Sequence, residues 1–128
     1  MARQIEIRDA HFPGRVPIDT YGNGGFRFAD MSHRGSLLCL PSGVYGWSVE
    51  EGDPLTADVF QRVIDEAAGI EFLLVGTGRN IRPLPAALRA ALKARGISSD
   101  PMGTGAAVRT YNIMLGEARP VAAALIAV

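Results

Sequence analysis

The chain has 128 residues, a length that suits one domain and leaves no room for two. Its 48% apolar residues, 20% charged residues and balanced 13 Lys+Arg and 13 Asp+Glu describe an ordinary globular protein and argue against nucleic-acid binding through bulk charge. One cysteine excludes an internal disulfide, and one cysteine with two histidines makes a histidine-rich metal site hard to assemble, so we expect no metal and no cofactor.

The sequence shows no targeting segment or membrane span. Residues 1–6 lack the apolar core of a signal peptide, and the longest apolar run, residues 121–128, is far short of the ~20 residues that cross a bilayer. All the basic residues except Lys93 are arginine, which favours a GC-rich genome over selection for arginine chemistry. We expect a soluble, cytoplasmic, bacterial protein without stable membrane insertion.

The first half of the chain alternates short apolar runs with turn residues. Runs this short, bounded by Gly, Pro and Asn, predict antiparallel strands. The predicted strands lie at residues 18–21, 26–29, 37–40 and 44–49, with turns at 22–25, 33–35 and 41–43.

After residue 53 the apolar period becomes helical. Phe60, Val63, Ile64 and Ala67 form one stripe, which predicts a helix that begins near residues 53–56 and ends at Gly69. The following elements are predicted as a buried strand at 71–75, a helix from Pro85 to Gly96, a short strand at 97–99 and a helix from Thr104 to Gly116. Residues 120–128 are apolar throughout, which predicts a final strand covered on both faces. This order, strand-helix-strand-helix-strand, implies right-handed crossovers and a parallel part of the sheet, so the whole sheet should be mixed.

Two glycine-bearing loops, residues 76–80 and 100–105, follow predicted parallel strands and should adjoin at one edge of the sheet. The second loop opens a helix, whose free N–H groups favour an anion, although no glycine has the spacing of a dinucleotide fingerprint or a phosphate loop. The alternative is that these glycines serve only tight turns and that Thr104 is only an N-cap. The candidate ligand or anion residues are Gly76, Thr77, Gly78, Arg79, Thr104, Gly105 and Arg109.

No catalytic residue can be nominated from the sequence. Cys39 lies in an apolar strand, where we expect a buried, unreactive thiol, and no serine stands in a nucleophile elbow. Asn112 is a poor helix former in a predicted helix, so we expect its side chain to bond to a neighbouring loop backbone. Arg109 has two open interpretations, a structural clamp on loop carbonyls or a ligand contact.

The segment 102–112 reads MGTGAAVRTYN and resembles a small α/β family of unknown function. That family includes the mitochondrial complex I (NADH dehydrogenase) assembly factor three and an adipogenesis-associated domain protein, together with uncharacterised bacterial and archaeal members. Position 108, often cysteine in relatives, is valine here. Further matching segments lie at 26–28, 35–38, 41, 47, 73–78, 115, 117, 119 and 121–125, so the resemblance runs from about residue 16 to residue 128.

The resemblance implies an α/β fold with three layers around a mixed sheet, formed by one domain over residues 1–128. It brings no agreed enzymatic activity, and whether the chain is an enzyme stays open. We expect a non-catalytic interaction or assembly factor with a protein partner; homo-oligomerisation is left open. The alternative is a small anionic-ligand binder, or an enzyme, that uses the crevice between loops 76–80 and 102–105.

Overall fold

The computed structural model describes residues 10–128; the expectation that residues 1–6 carry no signal peptide lies outside this range. Nine strands run through the described chain. They are β1 (Ala10–Pro13), β2 (Thr20–Gly22), β3 (Gly25–Phe28), β4 (Met31–Arg34), β5 (Ser36–Leu40), β6 (Gly43–Trp47), β7 (Phe72–Gly76), β8 (Ser98–Met102) and β9 (Val121–Leu125).

Six of these strands form the central sheet, in the order β1-β6-β5-β9-β7-β8. Strand β6 pairs antiparallel with β1 and β5, and β5 pairs antiparallel with β9. Strand β7 pairs in parallel with both β8 and β9. The predicted mixed α/β sheet is therefore confirmed, with its antiparallel part from the first half of the chain and its parallel part from the second.

The other three strands form a separate small sheet in the order β2-β3-β4, which corrects the expectation that all N-terminal strands belong to one sheet. Residues 33–34, predicted as a turn, belong to β4. The chain reverses instead at Ala29 and Asp30, which both have positive φ, as a type I′ hairpin turn requires. Neither residue is Gly or Asn, so the usual signal of such a turn is missing from the sequence.

The helices lie on both faces of the central sheet. The predicted first helix is broken into a 3-10 turn (Ala57–Phe60), a short helix α1 (Gln61–Asp65) and a second 3-10 turn (Ala67–Gly69). At the first break the Val59 carbonyl, a backbone group of the predicted helix, accepts from the Trp47 indole N–H at 2.8 Å. At the second break the Glu66 carboxylate ties the chain to the neighbouring turn by accepting from the Ser42 amide at 2.9 Å. The predicted stripe still packs inward, with Phe60 and Val63 fully buried.

The two longer helices are α2 (Ala86–Lys93) and α3 (Thr104–Gly116), and α3 has the predicted bounds. Helix α2 packs into the core on one face of the sheet through Leu88 and Leu92, and α3 packs on the opposite face through Ala107 and Tyr111. The chain moves outward from β7 to β8 and then back to β9, so two right-handed crossovers require helices on opposite faces. The result is the three-layer arrangement.

One boundary differs at the edge of the sheet. Strand β8 extends to Met102, whereas the sequence predicted a strand at 97–99 and a loop from Asp100. The strand was missed in the sequence because Pro101 is a poor strand former. Strand β8 lies at the edge of the sheet, where a residue without an N–H is tolerated. The second candidate loop therefore shrinks to Gly103, between β8 and α3.

Strand β9 lies at the centre of the fold, as predicted for an apolar strand covered on both faces. All five of its residues are buried, with Ala122 and Ala124 in one apolar cluster and Ala123 in the other. These small side chains let both covering layers approach the sheet closely. None of the helices in residues 10–128 combines the length and apolar character needed to cross a membrane.

Candidate functional site

The two predicted loops adjoin at the carboxyl edge of the parallel strands, and backbone hydrogen bonds join them. The Thr104 amide donates to the Gly78 carbonyl at 2.8 Å, and the Thr77 amide donates to the Met102 carbonyl at 2.8 Å. Gly76 permits this approach, because a Cβ at that position would lie 3.0 Å from the Thr104 Cα. Main-chain contacts thus join residues 76–78 to residues 102–104 across the crevice.

The two threonine hydroxyls of the crevice are buried and occupied. Thr104 Oγ1 donates to the Ile126 carbonyl at 2.7 Å and accepts from the Gly78 amide at 3.1 Å. Thr77 Oγ1 accepts from the Arg82 amide at 2.9 Å and lies 2.9 Å from the Asn80 carbonyl. Each hydroxyl therefore ties loops and strand ends together and has little bonding capacity left for a ligand.

The first loop already binds a carboxylate, which belongs to the chain itself. Glu51 accepts from the Arg79 amide at 2.6 Å through Oε2 and from the Arg79 guanidinium at 3.2 Å through Oε1. A Cβ at Gly78, whose φ is +111°, would collide with the same carboxylate. The Arg79 side chain is 72% exposed, so it lies over the outside of the loop.

The remaining candidate residues lie along helix α3. Gly105 is covered by the ring of Tyr21, whose hydroxyl would collide with a Cβ at position 105. Arg109 is exposed on the same side of the helix as Ile113, which is 62% exposed, and the described residues give its side chain no hydrogen-bond partner. The structure therefore brings Gly76, Thr77, Gly78 and Thr104 together and leaves the Arg79 and Arg109 side chains at the surface.

Other arginines hold loop carbonyls in the way proposed for Arg109. Arg82 donates through Nη2 to the Asp53 carbonyl at 2.9 Å, and Arg15 donates through Nη2 to the Gly69 carbonyl at 2.9 Å. Sequence reasoning considered Arg82 only as added positive charge near the two loops, and it singled out neither Arg15 nor Glu51. Glu51 and Arg79 are 28 positions apart, so no local spacing could have paired them.

Asn112 makes the loop contact that its sequence position predicted. Its Nδ2 donates to the Ile18 carbonyl at 2.8 Å, and its Oδ1 accepts from the Ile18 amide at 2.9 Å. This amide-to-backbone pair fastens the segment before the small sheet to helix α3. The role shown for Asn112 is therefore structural.

Cys39 is buried, as its apolar strand predicted. Burial raises the pKa of its thiol from 9.0 to about 12. Burial also raises the pKa of the Tyr111 phenol. Both groups are neutral at physiological pH, which disfavours nucleophilic chemistry at this pair.

The clearest clefts of the described residues lie away from the crevice. One of about 500 Å³ lies on the small sheet, one of about 550 Å³ lies beside α2 and β8, and one of about 400 Å³ lies near Gly69 and Pro120. Within residues 10–128, no group of three or more His, Cys, Asp or Glu side chains is arranged to hold a metal ion.

Comparison with known proteins gives a family and close structural relatives. The profile of a family described as "Protein of unknown function (DUF498/DUF598)" matches residues 18–126. An uncharacterised protein of Rhodobacter capsulatus is 40% identical over 119 residues, which are 93% of this chain and 90% of that protein. A crystal structure described as an outer membrane protein from Bartonella henselae is 58% identical with a TM-score of 0.87, covering 91% of this chain and 98% of that one.

A mouse protein is also similar over almost the whole chain. It is named NADH dehydrogenase (ubiquinone) 1 alpha subcomplex assembly factor 3 and is 31% identical over 123 residues. The matched region is 96% of this chain but only 66% of the mouse protein, so this chain spans just under two thirds of that relative's length.

Proposed function

The chain belongs to the DUF498/DUF598 family of proteins of unknown function, and we propose that it is a non-catalytic interaction or assembly factor that acts by contact with a protein partner. The observation that carries this proposal is the similarity over 96% of the chain to a mouse protein named as a complex I assembly factor. By that similarity, the proposed process is the assembly of a respiratory complex.

The geometry of the crevice supports a role without catalysis. The Thr77 and Thr104 hydroxyls both bond to backbone groups inside the fold, and the nearest carboxylate, Glu51, is paired with Arg79. A hydroxyl nucleophile must be able to pass its proton to an adjacent base. Both of these hydroxyls already bond to backbone groups instead. Their arrangement instead fixes the ends of β7 and β9 and the start of α3.

We propose that this protein is located in the bacterial cytoplasm. The buried thiol of Cys39 suits a reducing compartment, and the relative from Rhodobacter capsulatus is bacterial. Fractionation of the native cell into cytoplasm, inner membrane and outer membrane tests this location. Recovery in the cytoplasm supports the proposal, and recovery in the outer membrane contradicts it.

Affinity capture at native expression level tests the proposed function. A chain tagged at its C-terminus is cross-linked in the cell, captured and analysed by quantitative mass spectrometry, with an untagged strain as the control. We expect reproducible enrichment of subunits of an incompletely assembled respiratory complex. Enrichment of no protein above the untagged control would contradict the proposal.

A second candidate function is the binding of a small anion at residues 76–80 and 103–106, and the bound Glu51 carboxylate is the observation that favours it. Inorganic phosphate at millimolar concentration should shift the amide NMR signals of these residues. Glu51→Ala should tighten the binding, because it removes the competing carboxylate, and Arg79→Ala should weaken it. Scattered shifts, or none, would leave the glycines as turn formers only.

A further inference from the structure

The small sheet has one face buried against the protein and one face open to solvent. Phe26 and Phe28 are buried on the inner face, next to helix α3. Side chains alternate along each strand, so Arg27 points to the outer face. The outer face holds two cross-strand rows, one of Thr20, Arg27 and Ser32 and one of Gly22, Gly25 and Arg34.

This outer face forms part of a cleft of about 500 Å³. Its floor is bare backbone at Gly22 and Gly25, and position 25 cannot carry a side chain because a Cβ would collide with the His33 carbonyl. A bare floor lets the main chain of a bound segment come close to the sheet. The cleft is therefore shaped for a thin, extended occupant.

The charge in this cleft has one sign. Arg27 and Arg34 are exposed on its surface, and no Asp or Glu is among its lining residues. Arg27 donates to the Ser32 hydroxyl at 2.7 Å, which holds its guanidinium over the face before any partner binds. The described residues place no carboxylate in a salt bridge with either arginine. A partner that supplies carboxylates would give each guanidinium group a charged hydrogen-bond acceptor.

The spacing of the two arginines selects the form of the partner. Arg27 lies opposite Ser32, and Arg34 is two residues further along β4, so the arginines are diagonal neighbours. Such neighbours are about 7–8 Å apart, and alternate residues of an extended chain on one side are ~6.6–6.8 Å apart. Two acidic residues separated by one other residue therefore match the two guanidinium groups.

We propose that the outer face of the small sheet docks an extended acidic segment of a partner protein. One acidic residue of that segment pairs with Arg27, and the acidic residue two positions along pairs with Arg34. This inference rests on the proposed function, because the segment belongs to the protein partner.

A synthetic peptide tests the proposal without knowledge of the partner. The probe is a pentapeptide, Thr-Glu-Val-Glu-Thr with blocked ends, and its control has Gln in place of both Glu. We expect the Glu peptide to shift the amide NMR signals of residues 20–34, and to bind at least tenfold more tightly than the Gln peptide at low salt. Equal binding of the two peptides, or shifts centred elsewhere, would overturn the proposal.

Charge reversal provides the matched variants. Arg27→Glu with Arg34→Glu should abolish binding of the Glu peptide and create binding of a peptide with Lys at both positions. Arg89→Glu changes an exposed arginine on α2 and should leave the Glu peptide's affinity unchanged. Should the double variant melt early, Arg34→Gln alone must still weaken the Glu peptide severalfold. Loss of binding in Arg89→Glu, or full binding in Arg34→Gln, would overturn the proposal.

A free dianion and the native capture separate the remaining interpretations. Glutarate that binds this cleft as tightly as the Glu peptide would overturn the proposal in favour of a small-anion site. If the charge-reversed variant still captures the native partner, the docking proposal is wrong, but the proposed interaction function stands. If the wild-type chain captures nothing above the untagged control, the proposed function fails whatever the peptide does.

Discussion

Thr104 is the residue on which the two loops and the last strand converge, and Thr104→Val tests this structural role. Valine keeps the shape of the side chain, but it leaves the Gly78 amide and the Ile126 carbonyl without their partner. Thr104 is 1% exposed, so both groups are cut off from water. Each such group costs ~1–3 kcal/mol, and the added apolar surface returns ~0.8 kcal/mol, so unfolding should become easier by about 1–5 kcal/mol.

Urea denaturation measures this change as a lower midpoint at an unchanged slope. Thr104→Ser keeps the hydroxyl and loses one methyl group, so it should cost only ~1 kcal/mol. Thr56→Val is the matched control, because Thr56 is exposed and its side chain makes no cap hydrogen bond; its effect should stay within about 0.5 kcal/mol. A Thr104→Val variant as stable as Thr56→Val would refute the reasoning.

Four further predictions concern Cys39, Asn112 and metal binding. Cys39 should alkylate slowly in the native state at neutral pH, and rapid labelling without denaturant would contradict its burial. Folding raises the pKa of Cys39 from 9.0 to about 12, so the unfolded chain holds fewer protons than the folded chain above pH 9. The free energy of unfolding should therefore fall between about pH 9 and 12. Cys39→Ala should remove this contribution of the thiol to the pH dependence. Asn112→Ala should destabilise by about 1–3 kcal/mol and speed hydrogen exchange at the Ile18 amide, whereas unchanged protection there would show that the pair adds nothing. Treatment with EDTA should leave the melting temperature unchanged, since the sequence has one cysteine and two histidines, and a fall of several degrees would reveal a metal requirement.

The periodic elements were predictable because local pattern and tertiary packing agree in them. Helix α3 begins at Thr104 and ends at Gly116 as predicted, and the uninterrupted apolar run of β9 correctly predicted a strand buried on both faces. The family match over residues 18–126 confirms the resemblance drawn from segment 102–112. Where local pattern and tertiary packing favour the same element, the sequence alone is enough to predict it.

Prediction failed where long-range contacts override local pattern. At the breaks of the first helix, the Trp47 indole bonds to the Val59 carbonyl and the Glu66 carboxylate bonds to Ser42, and helical periodicity carries no signal of either contact. Adjacency of the two candidate loops followed from topology, but the pairing of Glu51 with Arg79 across 28 positions did not. Short apolar runs bounded by turn residues predicted antiparallel strands, yet they could not show that residues 20–34 form a second sheet.

The most direct test of the proposed assembly function is the amount of assembled complex I in membranes of the native cell after deletion of this gene. Native gel electrophoresis with an NADH dehydrogenase activity stain measures the assembled complex, and reintroduction of the wild-type gene serves as the control. We predict that deletion lowers the assembled complex and that the wild-type gene restores it. An unchanged amount of assembled complex in the deletion strain would contradict the proposed assembly function.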